Sequence, residues 1–367
     1  MIPVCEPFLG NKELEYVLDC LRTNWISSKG KYIEQFEESF ADYCNCKHGI
    51  STTSGTTALH IALASVGIGP GDEVIIPTFT MIATAFAIIY TGAKPVLVDC
   101  DPETWNIDVT KIEERITSRT KAIMPVHIYG HPCDMDPVLE IAKENNLLVI
   151  EDAAEAHGAE YKGRKMGGIG DIGCFSFYAN KIITTGEGGM VVTNDEKIAE
   201  KARMIKDLAH APQKRFVHTD IAYNYRMTNI QAAIGIAQFE MIEEFIDKRR
   251  AHAYLYNELL KDIRGITLPP EKDWARNVYW MYSILVEEEF GMDRDGLMHI
   301  LKEEGVDTRT FFVPMHQQPA FKNLGLFKGE RYCVAEKLSR TGMYLPSATG
   351  LSEEDIRSIC SIIKVAK

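Results

Sequence analysis

The chain has 367 residues, of which 46% are hydrophobic and 25% are charged, a composition that is ordinary for a globular protein and excludes a largely disordered chain. Its formal net charge of −12 argues against nonspecific binding to nucleic acid or to an anionic membrane, although a local basic pocket for a phosphorylated small molecule stays compatible with it. We find no signal-peptide pattern and no apolar stretch of membrane-spanning length. The length favours one large domain and a smaller second one.

The nine cysteines are odd in number and scattered, which predicts reduced thiols and a cytoplasmic protein. Cys44, Cys46 and His48 lie close enough in sequence to suggest a metal site. A zinc site needs a second pair of ligands at matching spacing, and none follows. We therefore interpret these three side chains as packing residues and expect no metal.

Apolar residues recur at helical spacing in residues 11–23 and 32–44, which predicts two helices. A strand at residues 48–52, a turn of small residues at 53–57 and a helix at 58–66 follow. The first N–H groups of a helix are unpaired and carry the positive end of its dipole, so a phosphate suits this turn. An ordinary helix cap of serine and threonine is the alternative.

Strands and helices then alternate up to Asp152, which predicts a mostly parallel sheet with helices on both faces and an α/β fold. The segments span residues 73–77, 80–90, 95–99, 109–116, 121–126, 137–145 and 147–152. Ligands gather at the carboxyl ends of such strands, where Glu151 and Asp152 stand. A carboxylate there is costly unless a positive group faces it; a helix cap is the alternative interpretation.

Lys181 lies three residues beyond an apolar strand predicted at residues 174–178 and just before the glycine-rich turn 186–189. Burial would lower the pKa of its amine and make the amine available as a nucleophile or base. An exposed loop lysine is the alternative. The string Gly168-x-Gly170-x-x-Gly173 matches a dinucleotide-binding fingerprint, but a strand follows it where a helix is required, so we reject that reading.

Residues 190–193 are predicted to form a strand and 196–208 a helix. The helical pattern at 230–261 is unusually long and predicts a crossing between two domains, with residues 1–240 in a large domain and 241–367 in a small C-terminal α+β domain. In the small domain the patterns predict strands at 278–286 and 306–310 and helices at 294–304 and 352–365.

An amine, an acid and a small-residue helix start are the groups that pyridoxal 5'-phosphate (PLP) requires. Lys181 would bind the cofactor covalently, and Asp152 would keep its ring nitrogen protonated. The helix start at Gly55 would bind the phosphate, and Ser176 could add a hydroxyl to it.

Four sequence strings also resemble motifs of a known protein family. EDAAEA at 151–156, FSFYANK at 175–181, TGEGGM at 185–190 and NYRM at 224–227 resemble the sugar aminotransferases of the DegT/DnrJ/EryC1/StrS family, and the similarity runs essentially end to end. Within the family, residues 23–28, 125–130 and 181–189 are most similar to the members that aminate C4 of GDP-4-keto-6-deoxymannose.

The resemblance implies a fold type I enzyme that works as a homodimer with shared active sites. It implies that Lys181 is the covalent anchor, that Asp152 contacts the ring nitrogen and that Glu155 lies near the ring hydroxyl. The residues that it implies for the phosphate are Gly55, Thr56, Ser176 and, from the partner subunit, Asn224.

Two positions depart from the commoner family pattern. Met81 stands where many members have an aromatic residue that stacks on the cofactor ring, and its thioether could pack there instead. Glu155 replaces the more frequent glutamine and brings a second charge near the ring.

The motifs also place six residues on the substrate side by resemblance. These are Trp25, Ser27, His127, Arg226, Arg309 and His316. A core histidine or a solvent-exposed arginine is the alternative for the last four.

The expected reaction transfers the amino group of L-glutamate to C4 of a nucleotide-linked 4-keto-6-deoxy sugar, with GDP-4-keto-6-deoxymannose as the expected substrate. A UDP- or dTDP-linked sugar aminated at C3 or C4 is the alternative. Dehydratases of the family have histidine at the lysine position, so Lys181 favours amino transfer. A non-catalytic regulator would need a broken site, and all the expected groups are present.

Overall fold

The computed structural model describes the whole chain except the side chain of Arg215. The helices lie on both sides of a large sheet and around a smaller one. They are α1 (Asn11–Thr23), α2 (Lys31–Tyr43), α3 (Gly55–Ser65), α4 (Ala83–Tyr90), α5 (Met135–Glu144), α6 (Glu196–Lys206), α7 (Asn229–Phe239), α8 (Ile242–Leu260), α9 (Arg294–Glu303), α10 (Pro319–Asn323), α11 (Cys333–Thr341) and α12 (Glu353–Ala366).

Seven strands form the large sheet. They are β1 (His48–Thr52), β2 (Glu73–Pro77), β3 (Lys94–Val98), β4 (Thr120–Ile123), β5 (Leu148–Asp152), β6 (Ile172–Ser176) and β7 (Gly189–Thr193). Their order is β1-β7-β6-β5-β4-β2-β3, and β7 alone runs antiparallel to its neighbours within the described sheet. The carboxyl ends of the other six strands therefore meet at one edge. The α/β prediction is confirmed.

The smaller sheet is antiparallel. Its strands are β8 (Ile266–Thr267), β9 (Tyr282–Val286), β10 (Arg309–Thr310) and β11 (Gly342–Leu345), in the order β8-β9-β11-β10. Outside both sheets, short strands pair at Glu160–Tyr161, Arg164–Lys165 and Ala275–Arg276, and a hairpin joins His210–Ala211 to Lys214–His218.

Two predicted helices differ from the structure. The long pattern at 230–261 is two helices, because Met241 leaves helical geometry with φ −111° and its N–H bonds to the carbonyl of Gln238. Residues 109–116 form two short 3-10 turns, Val109–Lys111 and Glu113–Arg115, instead of one helix. β-Branched residues such as Val109 and Thr110 disfavour a helix there.

The apolar core consists of two clusters of buried side chains. The larger one surrounds the seven-stranded sheet, and the smaller one lies among α8, the four-stranded sheet, α9 and α12. α8 contributes to both, through Phe245 to the larger and Tyr256 to the smaller cluster. The division at residue 240 stays a prediction.

Within the described part of the chain, no helix combines the length and the apolar character needed to cross a bilayer.

Candidate active site

A cavity of about 340 Å³ opens at the carboxyl edge of the large sheet. It is bounded by the ends of β5 and β6, the start of α3 and the segment before α4, and residues of the C-terminal part close one side. Its walls are formed by Ser54, Gly55, Thr56, Leu59, Thr80, Met81, Ala83, Val126, Asp152, Ala154, Glu155, Ser176, Tyr178, Asn180, Lys181, Glu187, Trp280, Phe312 and Tyr344.

The start of α3 forms an anion cradle on one wall. Ser54 caps the helix by accepting the N–H of Thr57 at 3.2 Å. A Cβ added to Gly55 would lie 2.6 Å from Cβ of Ser176, closer than real side chains approach, so only glycine fits there. This close approach brings the free N–H groups of the first turn beside the Ser176 hydroxyl, an arrangement that suits a phosphate.

Asp152 ends β5 inside the cavity wall and is only 4% exposed. It accepts hydrogen bonds from the Thr84 hydroxyl at 2.8 Å and from the Ala154 N–H at 3.2 Å. Burial raises the pKa of this carboxyl, and the Thr84 bond opposes the rise. No cation of the described residues forms an ion pair with Asp152, so the carboxylate is suited to a positive group that enters the cavity.

Lys181 Nζ lies 3.9 Å from Oε1 of Glu155, and both side chains are buried. Burial lowers the pKa of the Lys181 amine, while the charges of Glu155 and Asp152 oppose that change. Burial likewise raises the pKa of Glu155 to about 7. The second oxygen of Glu155 accepts the N–H of Tyr129 at 2.8 Å, for which Tyr129 adopts a left-handed backbone with φ 55°. The site therefore holds a buried amine of lowered pKa beside a buried acid of raised pKa, a pair suited to proton transfer.

A family model described as the DegT/DnrJ/EryC1/StrS aminotransferase family matches residues 7–364. The chain belongs to this aminotransferase family. It is 48% identical to GDP-perosamine synthase of Caulobacter vibrioides over 99% of this chain and 97% of that protein, and 46% identical to the enzyme of the same name from Escherichia coli O157:H7 over 99% and 97%. Solved DesV from S. venezuelae matches with a TM-score of 0.91 and 35% identity, covering 97% of this chain and 95% of that one.

The sequence-based prediction of the family is confirmed, and so are the predictions of an enzyme and of its cofactor, pyridoxal 5'-phosphate. The residues present fit PLP on three counts. The Gly55 cradle suits its phosphate, the unpaired carboxylate of Asp152 suits its protonated ring nitrogen, and Lys181 supplies a buried amine of lowered pKa.

Of the cofactor contacts predicted for this aminotransferase, seven line the cavity. They are Gly55, Thr56, Met81, Asp152, Glu155, Ser176 and Lys181. Met81 is 49% exposed at the cavity wall. Asn224 does not line the cavity of its own chain; it is exposed and accepts a hydrogen bond from Arg226 Nε at 2.9 Å. Its role toward a partner subunit stays a prediction.

The residues predicted for the substrate side do not line this cavity. Trp25 and Arg226 line a separate groove of about 910 Å³, and the Ser27 carbonyl accepts the N–H of Asn229 at 2.6 Å. Arg309 is exposed and pairs with Asp307.

His316 is also outside the cavity. It is buried between the Thr78 hydroxyl and the Glu336 carboxylate, each 3.0 Å from one of its ring nitrogens. It therefore links the segment after β2 to α11, the role of a core histidine.

His127 needs a correction, because the structure gives it no access to a ligand. Its side chain is fully buried, Nε2 lies 3.1 Å from Oε2 of Glu151, and Nδ1 accepts the N–H of Cys133 at 3.1 Å. Both ring nitrogens are thus used within the fold. His127 is the core histidine that was the alternative reading.

One residue of the cavity wall, Trp280, and two residues that contact its carboxylates were missed by the sequence reading. Thr84 bonds to Asp152, Tyr129 donates its N–H to Glu155, and the Trp280 ring lies against Lys181. Tyr129 falls within the 125–130 string of the family resemblance, which was the one available signal for it. Trp280 lies in an apolar run of the C-terminal part that reads as core, so its place in the cavity depends on tertiary contacts.

Proposed function

We propose that this chain transfers the amino group of L-glutamate to C4 of GDP-4-keto-6-deoxymannose and so forms GDP-perosamine. The observation that carries the proposal is the buried Lys181 amine, which shares a cavity with Asp152 and the Gly55 cradle. The substrate is inferred from the relatives named GDP-perosamine synthase, which align with almost the whole chain.

Each residue has a defined task in this reaction. When bound, PLP supplies an electron-withdrawing ring that stabilises negative charge at the amino-acid Cα. Asp152 favours the protonated ring nitrogen, because a buried carboxylate stabilises a nearby cation. Lys181 Nζ removes the proton from Cα of glutamate in the first half of the reaction and delivers a proton to C4 of the sugar in the second half. Glutamate loses its amino group and takes an oxygen from water to become 2-oxoglutarate. The amino group replaces the C4 oxygen of the sugar, which leaves as water, and C4 gains a hydrogen.

Lysine at position 181 favours amino transfer over dehydration, since the dehydratases resemble these enzymes but have histidine at this position. The same lysine argues against a regulator without activity. A free amine can bind the cofactor covalently and can also carry a proton, whereas an imidazole can only do the second.

The test is incubation of the pure protein with ¹⁵N-labelled L-glutamate and a panel of GDP-, UDP- and dTDP-linked 4-keto-6-deoxy sugars. We expect a ¹⁵N-amino sugar from the GDP-linked substrate, detected by mass spectrometry. A product only from a UDP or dTDP sugar would overturn the assignment of the substrate but support the assignment as an aminotransferase. If ¹⁵N appeared in the amino sugar from [amide-¹⁵N]glutamine but not from glutamate, the assignment of glutamate as the donor would be wrong.

The proposal includes a homodimer with shared active sites. Trp25 is 55% exposed and lines the 910 Å³ groove together with Arg226, whose Nε donates to the Asn224 side chain. The three side chains therefore form a cluster outside the cavity of their own chain. Tyr178 and Met81 are half exposed at the cavity, where a second copy would cover them. Burial of these apolar groups favours association.

Subunit complementation tests the shared site. Asn224→Ala and Lys181→Ala homodimers are each expected to be weakly active or inactive. Mixed and reassembled, they would regain about a quarter of wild-type activity, because half of the dimers would carry one intact site. No recovery, with mixed dimers shown by native mass spectrometry, would place Asn224 outside the partner's site.

We also place the reaction in the cytoplasm. The nine cysteines are free in the structure, and Cys333 is exposed, which fits a reducing compartment.

A further inference from the structure

The Trp280 ring lies against the Lys181 amine in the cavity wall. The centroid of its ring lies 3.6 Å from Nζ, and the residue is only 4% exposed. Glu155 Oε1 lies 3.9 Å from the same nitrogen. The free amine therefore rests between an indole face and a carboxyl group.

The Trp280 ring is fixed by contacts at both ends of the residue. Its Nε1–H donates to the carbonyl of Asn180 at 2.8 Å, which belongs to the peptide unit that precedes Lys181. Its own carbonyl accepts Nη1 of Arg249 at 2.8 Å, and Arg249 is itself buried and donates from Nε to the Thr349 hydroxyl at 3.2 Å. The indole is thus tied to the loop that carries the lysine.

The residue before Trp280 has a strained backbone. Tyr279 adopts φ 47°, and its N–H bonds to the Asn277 side chain at 2.8 Å. A left-handed conformation is uncommon for a large side chain and persists only where the surrounding structure imposes it. The fold thus maintains an unfavourable conformation directly before this ring.

The charged groups around the amine come from several elements. Burial, the largest effect, lowers the pKa of Lys181, and interactions with Glu155, Asp152 and Cys5 of the N-terminal segment oppose that change. His157 is buried beneath Phe175 and Phe177, and burial, followed by the Lys181 charge, lowers its pKa to about 3. It stays neutral and adds no positive charge.

We propose that Trp280 is a positioning residue whose indole face holds the free amine of Lys181 beside the cofactor while that amine is not covalently bound. The proposal rests on the amino-transfer function, in which the lysine must be released and then act as a proton carrier. A ring face attracts an ammonium group electrostatically and also receives an N–H of a neutral amine, so it can hold both states. A long flexible side chain would otherwise sample many rotamers.

The test uses the apoenzyme and needs no turnover. Lysines are reductively methylated with ¹³C-formaldehyde, the Lys181 signal is identified by its absence in Lys181→Arg, and its pKa is read from a pH titration by NMR. Trp280→Leu removes the face that stabilises the ammonium, so the pKa should fall by about half a unit to one unit. In Trp280→Phe the pKa of Lys181 should fall less. Trp274→Leu, a tryptophan that packs on Tyr161 and His131, should leave the pKa unchanged.

A second measurement covers the case in which Trp280→Leu does not fold. Fluorinated tryptophan keeps the shape of the ring but weakens the negative charge of its face, so the Lys181 pKa should fall stepwise with each added fluorine. The Trp274→Leu protein, labelled in the same way, should show the same series. An unchanged pKa across the fluorine series would overturn the proposal.

The rate of amino transfer from glutamate in a single turnover gives the functional consequence. Trp280→Leu should slow it by about tenfold, and Trp280→Phe should restore most of the rate. If no sugar is aminated but the Lys181 pKa responds to Trp280, the proposed function fails and the positioning role stands. If the sugar is aminated and the pKa does not respond, the positioning role fails alone.

Discussion

Two adjacent carboxylates at the end of β5 face opposite sides of the sheet and have opposite surroundings. Glu151 is fully buried, and four donors satisfy its oxygens. These donors are the N–H groups of Gly167 at 2.8 Å, Ile169 at 2.8 Å and Gly170 at 2.6 Å, and Nε2 of His127 at 3.1 Å. Asp152, on the other side, has only a hydroxyl and one N–H.

The difference separates a structural acid from a reactive one. The glycine-rich loop that resembles a dinucleotide-binding fingerprint does cradle an anion, but the anion is the chain's own Glu151. A saturated carboxylate has no capacity left for a ligand. Asp152 and Glu155 are buried with few donors, and Lys181 lies 3.9 Å from Glu155 in the same cavity, so this side retains the capacity to bind and to move protons.

The largest expected effect comes from replacing the amine on the reactive side. Lys181→Ala should lower turnover with glutamate by about 10²–10⁴-fold, because it removes the proton carrier, and should abolish the visible absorption of covalently held cofactor. Lys165→Ala is the matched control: Lys165 is a half-buried amine that pairs with Glu160 at 2.9 Å and Glu243 at 3.1 Å. It should keep turnover. Persistent turnover in Lys181→Ala would contradict the assignment.

A pair of neighbouring substitutions tests the two sides of β5 directly. Glu151→Ala leaves three backbone N–H groups and His127 without partners and should lower the free energy of unfolding by about 3–5 kcal/mol, measured by urea denaturation. Asp152→Asn removes a buried charge that has few donors, so the apoenzyme should change by less than about 1 kcal/mol.

At the same two positions, the effects on activity should be the reverse of the effects on stability. Asp152→Asn should lose about 10²–10³-fold in turnover, since a buried ion pair to the ring nitrogen contributes a few kcal/mol. Glu151→Gln, which retains one acceptor oxygen and is less destabilised, should stay active once folded. A stable Glu151→Gln protein without activity would show that the two sides do not separate in this way.

Much of the fold was predictable from local pattern. The strand at 73–77 and the helix at 11–23 have the predicted bounds, because period and composition alone distinguish them. Asp152 and Lys181 could be singled out since each follows an apolar strand in an alternating α/β pattern. The positions that were missed depend on distant contacts: the Trp280 indole bonds to the carbonyl of Asn180, a hundred residues earlier.

The break between α7 and α8 shows the same limit. Neither Glu240 nor Met241 is a helix breaker, so nothing local marks the end of α7. Glu240 instead accepts hydrogen bonds from Lys12 at 2.5 Å and from the Tyr16 hydroxyl at 2.9 Å, both on α1. The interruption thus coincides with a contact to a helix more than 200 positions away, which propensity cannot reveal.

A smaller effect is expected from Glu155 on the reactive side, whose titration should make the free energy of unfolding depend on pH. Burial raises the pKa of Glu155 from 4.5 to about 7, so between these values the folded apoenzyme binds a proton that the unfolded chain releases. Stability contributed by the protonated acid is therefore lost as pH rises from about 5 to 7.5, by about 1–3 kcal/mol. Glu155→Gln cannot ionise, and its urea-denaturation midpoint should fall less over this range. If the denaturation midpoints of both proteins fell in parallel as the pH rises, the titrating group would not be Glu155.

The smallest effect is expected at His127, the residue that the motifs placed on the substrate side and the structure places beside Glu151. In His127→Gln the amide can still donate to Glu151, but the Cys133 N–H loses its acceptor, Nδ1. We expect a loss of about 1–2 kcal/mol in the free energy of unfolding and a kcat/KM for the sugar within about twofold of wild type.

Thermal melts and initial rates with the sugar substrate measure both quantities for His127→Gln. Trp25→Ala, a substitution in the exposed groove, is the matched comparison, because it should lower kcat/KM without changing stability if the groove serves a partner's site. A His127→Gln protein of normal stability with a tenfold lower kcat/KM would move His127 to the reactive side. In that case the number of hydrogen-bond donors around each carboxylate would not distinguish the structural side of β5 from the reactive side.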